Sequence, residues 1–220
     1  MLNRAAWARI LPFLAYMAFI VVADLLSRVG VDAATLRWLY PIKIGFVFLL
    51  LVVFWRQYQE LASWRCSARL LAVAAAAGVV VLVLWLNLAA GWMVMGQSSG
   101  FDPRSGGQID WSLALPRLAG ATLVVPVMEE LFWRSFLMRW LVHQDFEQVA
   151  PQQVGWGSWA VSSLLFGIEH NLWLAGLVAG LIYGFLYRRS GNIWAAIVAH
   201  GVTNGLLGIW IISTANWSYW

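Results

Sequence analysis

The stretch Val124–Leu141 reads VVPVMEELFWRSFLMRWL. It places two adjacent acids, Glu129 and Glu130, and then Arg134 inside a run otherwise built of apolar and aromatic residues. Apolar sequence continues on both sides, so the run reads as part of a membrane helix. A charge near the centre of a bilayer costs roughly 2.5–3.5 kcal/mol on insertion scales. Three such groups in about one and a half turns need partners. A local Glu130–Arg134 pair at i, i+4 would satisfy a solvated helix end. Deep in an apolar run, the better account is a polar site buried between helices, with further members supplied from elsewhere in the chain.

Composition agrees with a membrane setting. The 220 residues are 62% hydrophobic and 11% charged, against about 45–50% and 25% in soluble domains. The expected fold is an all-α, polytopic transmembrane helical bundle of seven spans, or eight if the fourth to sixth segments divide differently. The net charge of +4 does not point to nucleic acid, because the arginines sit at the ends of apolar runs, where they set orientation. Many of the sixteen tryptophans fall near predicted span ends (Trp7, Trp38, Trp55, Trp92, Trp111, Trp140, Trp217 and Trp220) and read as an interfacial belt. One cysteine, Cys66, excludes an internal disulfide.

The first helix is expected over about Trp7–Leu26, uncleaved, since its apolar run is long and no small-residue cleavage site follows. The second covers about Pro41–Trp55, with Pro41 in its first turn, and the third about Leu70–Ala90. Between them lies a basic loop with Arg56, Arg65 and Arg69. Gly91–Asp110 is the longest polar loop and is expected to be flexible. The fourth segment, about Trp111–Val142, is longer than the ~20 residues a span needs. Pro126, three residues before the acids, predicts a kink and a freed backbone carbonyl beside them. A short fifth helix (about Ser158–His170) follows, then a sixth (about Leu172–Arg188) and a seventh (about Ile193–Ser213). Gly176, Gly180 and Gly184 on the sixth allow a close helix approach. The positive loops place the N-terminus in the cytoplasm and the C-terminus outside. Residues 1–110 form an N-terminal part and 111–220 a catalytic core, within one membrane domain.

The chain has three histidines. His143 is in a polar loop and reads as solvated. His170 ends LLFGIEH, with Phe166 four residues earlier on the same helix face. His200 begins HGVTN, with Asn204 four residues later on the same face. Two histidines, an asparagine and a carboxylate pair are each costly to bury singly and satisfy one another when buried together. Their chemistry is that of hydrolysis: a desolvated carboxylate as base towards water, and His and Asn donors for a developing oxyanion. A second arrangement uses Glu129, His170 and His200 as three zinc ligands with water in the fourth position. H-E-x-x-H, Gly-x-Ser-Gly and Gly-x-Gly-Asp are absent from the sequence. Glu169, beside His170, projects about 100° away from it around an ideal helix and is expected to face the membrane surface.

Glu129-Glu130-x-x-x-Arg134, Phe166-x-x-x-His170 and His200-x-x-x-Asn204, in this order on successive helices, resemble the three motifs of the CPBP (CAAX protease and bacteriocin-processing, or Abi) family. The resemblance covers about Leu113–Ser213. It implies a CAAX-type intramembrane endopeptidase in which Glu129 activates water with help from His170. His200 and Asn204 would form the oxyanion site, and Phe166 would shape the substrate pocket. Glu130 and Arg134 would be a supporting pair, with Arg134 also available to a substrate carboxylate. A glutamate mechanism without cofactor is favoured over the zinc version. The expected partners are membrane lipid and a membrane-associated or exported protein or peptide substrate, with exosortase-type sorting components suggested by a weaker likeness to small bacterial members. The expected place is the bacterial inner membrane. The alternatives are a non-catalytic immunity or scaffold protein of the same fold and a proton-coupled transporter. The transporter fits least, because the polar residues fall in one half and no inverted repeat is visible.

Overall fold

The computed structural model describes residues 2–62, 64, 66–96 and 100–220. Arg65, one of the three arginines of the basic loop, lies outside them. Seven main helices are present among the described residues: α1 Arg4–Arg28, α2 Leu39–Val53, α3 Ala68–Asn87, α4 Trp111–Trp140, α5 Trp156–Ile168, α6 Trp173–Ser190 and α7 Ile193–Thr214. They stand where the apolar runs predict them, within a few residues. Each start has a local cause where a polar side chain precedes it. Asn3 accepts from Ala6 N, Ser67 from Leu70 N, Asp110 from Ser112 N and Asn192 from Trp194 N, which satisfies N–H groups that have no partner inside the helix.

Five of the helical segments are long and apolar enough to cross a membrane: Arg4–Arg28, Ala33–Val53, Ala68–Asn87, Trp111–Trp140 and Ile193–Thr214. The second of these includes a one-turn helix, Ala33–Leu36, ahead of α2. The 13-residue α5 rises about 20 Å, short of the ~30 Å hydrocarbon core. The last turn of α6 holds Arg188 and Arg189. The protein is thus a multi-pass helical bundle in which α5 and α6 form a shorter pair. Their axes close up at the glycines. A Cβ on Gly176 would meet Gly167 Cα at 3.1 Å and His170 Cβ at 3.2 Å, and one on Gly180 would meet Ser163 Cα at 3.0 Å.

Helix α4 is the hub, packing against α1, α2, α5 and α7. It is not a uniform α-helix. Two π-helical stretches, Gly120–Val124 and Leu131–Leu137, bracket the segment Val125–Glu130. The first falls immediately before Pro126, whose missing N–H leaves the preceding turn short of a donor. A wider turn accommodates that defect, so the irregularity predicted at Pro126 takes the form of a π turn. The second had no expectation behind it.

Three parts of the fold correct the expectations. Gly91–Asp110, expected to be flexible, contains a two-residue hairpin pairing Arg104–Ser105 with Gln108–Ile109. Its turn, Gly106-Gly107, has φ of 59° and 82°, a conformation open to glycine. Phe101 N donates to Trp217 O at 3.2 Å, which ties the loop to the C-terminal residues. Trp217 and Trp220 are therefore not purely interfacial: Trp217 is buried in a cluster with Leu207 and Ile211, and Trp220 packs beside it. Arg9, counted as an orienting charge, is fully buried. It forms an ion pair with Glu60 (2.6 Å) and donates to Ser135 Oγ (3.0 Å) and Ala5 O (2.8 Å). Ser135 also bonds Glu60, and Arg139 Nη2 donates to Ser135 Oγ at 2.7 Å. This knot joins α1, the Glu60 turn and the C-terminal end of α4.

Burial alone would raise the Glu60 carboxyl, but the Arg9 guanidinium and the bonds from Arg9 and Ser135 more than reverse this and hold it below its ordinary value of 4.5. A carboxylate with a lowered folded value adds stability that is present above the ordinary value and lost as pH falls through the lowered one. Glu60→Gln should therefore lower the thermal midpoint in detergent at pH 7, at a cost of about 3 kcal/mol. It should also remove part of the acid destabilisation of the wild type below pH 4.5. Equal acid sensitivity in both proteins would show that the Glu60 knot does not carry it.

Candidate active site

Neighbouring residues on a helix point about 100° apart, so Glu129 and Glu130 face different surroundings. Glu130 faces inward and is fully buried. Its Oε1 lies 2.9 Å from His200 Nδ1 on α7, and its Oε2 lies 3.1 Å from Arg134 Nε, one turn further along α4. The Arg134 contact is close enough for an ion pair but out of line for a hydrogen bond. Arg134 Nη2 also donates to Gly180 O on α6 at 3.4 Å, and the guanidinium lies 4.4 Å from the Phe166 ring centroid. A carboxylate held beside an arginine is an acceptor, so its partner Nδ1 carries a proton and Nε2 is the ring atom left for chemistry.

Nε2 of His200 stands 4.0 Å from Glu129 Oε2. That oxygen is buried and has no hydrogen-bond donor among the described protein groups. The His200 ring is held from the other side by Tyr183, stacked at 5.0 Å with an interplanar angle of 19°. Tyr183 OH donates to Thr203 Oγ1 at 2.7 Å, which lies 2.9 Å from Gly78 O and 3.0 Å from Ala199 O. His170 follows the end of α5. Its Nδ1 is 2.7 Å from Phe166 O, and its ring meets Trp85 edge-on at 5.4 Å and Phe166 at 4.7 Å. The carbonyl makes Nδ1 a donor and again leaves Nε2 free.

Asn204 Nδ2 donates to Ala121 O at 2.9 Å, inside the π turn that precedes Pro126. The carbonyl lies five residues before Pro126, and Asn204 takes it up. The approach needs the glycines of α7: a Cβ on Gly201 would lie 3.0 Å from Thr122 O, and one on Gly205 3.1 Å from Thr122 Cγ2. One amide N–H of Asn204 remains, since the group carries two.

Glu129, Phe166, His170, His200 and Asn204 line one cavity of about 170 Å³, together with Tyr16, Trp85, Arg117 and Tyr183. A second, of about 530 Å³, shares Glu129, His170, Trp85 and Arg117 and extends to Glu169, Asn171 and Ser218. The residues of all three motifs thus converge from α4, the end of α5 and α7. Glu130 and Arg134 stand behind the cavity wall. Arg134 lines neither cavity, so it is not placed to meet a substrate carboxylate. His143 is exposed in its loop.

Glu169 corrects another expectation. It faces the larger cavity, not the membrane surface, and accepts from Trp133 Nε1 at 3.1 Å. Glu169 keeps helical geometry, its N–H donating to Leu165 O at 3.2 Å; an offset of about 100° from His170 does not exclude a shared cavity, and the larger one takes in both side chains. Trp85, Tyr183 and Thr203 also carry site contacts that no sequence motif announces. Glu129, His170 and His200 share a wall, but among the described residues no three His, Cys, Asp or Glu side chains converge as metal ligands.

Residues 111–206 match the family model described as type II CAAX prenyl endopeptidase Rce1-like. The match opens at the first residue of α4 and closes two residues past Asn204, so it takes in every motif residue and agrees with the family that the three motifs resemble. No curated protein and no solved structure matches the chain.

The position of His170 depends on the α5–α6 approach. A Cβ on Gly167 would lie 2.8 Å from Trp173 O and 2.9 Å from Leu177 N, both backbone atoms that cannot swing aside. Gly167→Ala should cost about 1–3 kcal/mol of overpacking, read as a lower thermal midpoint in detergent. Gly45→Ala, inside α2 and with nothing within 4 Å of the added carbon, should not lower it, since alanine is the better helix former. Equal midpoints for the two variants would contradict the close packing.

Proposed function

We propose that this CAAX-type membrane protease family member hydrolyses a peptide bond by a carboxylate-activated water. The observation that carries the reading is the buried Glu129 Oε2, free of protein donors and 4.0 Å from His200 Nε2, on the wall of a cavity that also holds His170 and Asn204.

A water bridging Glu129 and His170 Nε2 would give up a proton to the Glu129 carboxylate as its oxygen attacks the scissile carbonyl carbon. The carbonyl π electrons move to oxygen. The free amide N–H of Asn204 donates to that oxyanion, and His200 does so from Nε2 when both its ring nitrogens are protonated. In that state the buried cluster is charge-balanced: Arg134 and His200 offset Glu129 and Glu130, so no charge in it is left uncompensated. Glu129 then returns its proton to the leaving nitrogen as the C–N bond breaks, giving a carboxylic acid and an amine. Preorganised donors of this kind are each worth about 10²–10³ in rate, and a positioned base about 10²–10⁴. The substrate class that fits is a membrane-associated or exported protein or peptide, since the site lies within the bundle, and the setting we propose is the bacterial inner membrane.

Glu129→Ala, His170→Ala and His200→Ala should each lower the cleavage of a quenched fluorescent peptide library by purified protein in detergent by at least about 10²-fold, with thermal unfolding still cooperative. Full activity in any of the three would refute the assigned roles. Loss of cooperative unfolding together with unchanged turnover per folded molecule would favour a packing role for the motifs.

A further inference from the structure

Among the described residues, Arg117 is the one arginine or lysine on the wall of the two cavities, and this half-buried residue is situated unlike the buried arginines. Arg9 and Arg134 are each paired with a carboxylate. No carboxylate among the described residues lies within ion-pair distance of Arg117. Its Nε is buried and finds no acceptor. The guanidinium rests on aromatic faces instead, 4.2 Å from the Tyr40 ring centroid and 5.4 Å from that of Phe101. Lys43 packs on the same aromatic group, with Nζ 3.8 Å from the Tyr16 centroid and 4.9 Å from that of Tyr40. A guanidinium stays charged at any working pH. Aromatic faces return only about 0.5–2 kcal/mol of what its desolvation costs. Glu129 and Glu169 line these cavities but stand beyond ion-pair distance of Arg117, so its planar fork keeps donors for an anion brought from outside.

The first π turn determines what that site is for. Twelve residues separate Arg117 from Glu129. At 100° per residue they would stand about 120° apart around a regular α-helix. The π turn Gly120–Val124 absorbs one extra residue, which reduces the offset to about 20° and puts both side chains on one face. Both accordingly line both cavities. Eleven effective residues rise about 17 Å, a span that an extended peptide covers with about five residues. This is an upper limit, because both side chains extend into the same space.

Resting on the protease reading above, we infer that Arg117 binds a carboxylate of the substrate peptide, no more than about five residues from the scissile bond, and so fixes which bond is presented to Glu129. The carboxylate can be the free chain terminus or an acidic side chain, which have the same chemistry towards a guanidinium. Arg134, buried behind the wall on Glu130, is not available for this task.

Binding separates this inference from catalysis. Purified Glu129→Gln protein in detergent would be titrated with three fluorescein-labelled random heptapeptide pools, followed by anisotropy. One pool has a free C-terminus and no acidic residues, one has an amidated C-terminus and no acidic residues, and one is amidated with a single Asp. At least one carboxylate-bearing pool should bind tighter than the uncharged pool by about tenfold or more, and the tighter of the two identifies the source of the carboxylate. Arg117→Gln in the same background should abolish that preference while leaving the uncharged pool unchanged, and Arg117→Lys should keep part of it. Equal affinity for all three pools, no binding of any pool, or a uniform loss with Arg117→Gln would overturn the inference. If the wild type cleaves nothing while the Arg117-dependent preference persists, the protease reading falls and the carboxylate site stands.

Discussion

The structure depends on one carboxylate. Glu130 is fully buried, with one oxygen on His200 of α7 and the other on Arg134, which reaches Gly180 of α6. Removing Glu130 or Arg134 would leave the other charge buried without its partner, a change worth about 3–5 kcal/mol. The same ties that hold three helices together also orient the ring of His200 towards Glu129. Stability and site geometry therefore rest on the same contacts. That is why a cluster so costly to bury is placed at the hub helix and not at an edge.

Around that cluster the backbone is shaped by defects placed where they serve the site. Two π turns bracket Val125–Glu130. Each changes the face that the following residues present. The first also brings Ala121 O within reach of Asn204 and carries Arg117 round to the face of Glu129. The glycines of α5, α6 and α7 complete the arrangement by letting backbones meet at His170 and at Thr122. Tyr183 and Trp85 then close on the two imidazoles from the sides that the motifs leave open.

The sequence makes the helices and the motif residues legible, because long apolar runs and charges out of place are both strong signals. Glu130 and Arg134 are readable as a pair from their spacing, and Pro126 announces a defect ahead of the acids. Other features leave no such trace. Arg9 and Arg117 look like ordinary span-end arginines; whether such a residue meets water, Glu60 or a cavity depends on packing between distant segments. Glu169 is misplaced because its angle from His170 says nothing of how wide a cavity the neighbouring segments leave, and the larger cavity takes in both. The second π turn has no proline to mark it. The hairpin at Arg104–Ile109 has its Gly106-Gly107 turn in plain view, but two-residue strands are too short to show alternation.

The central claim is that Glu129 and not a metal ion activates water. The most direct test is hydrolysis of the quenched peptide library by wild-type protein before and after exhaustive treatment with a strong zinc chelator, beside Glu129→Gln. Turnover that survives chelation and is lost in the variant is the predicted result. Turnover lost on chelation and restored by added zinc, or retained by Glu129→Gln, would contradict the account.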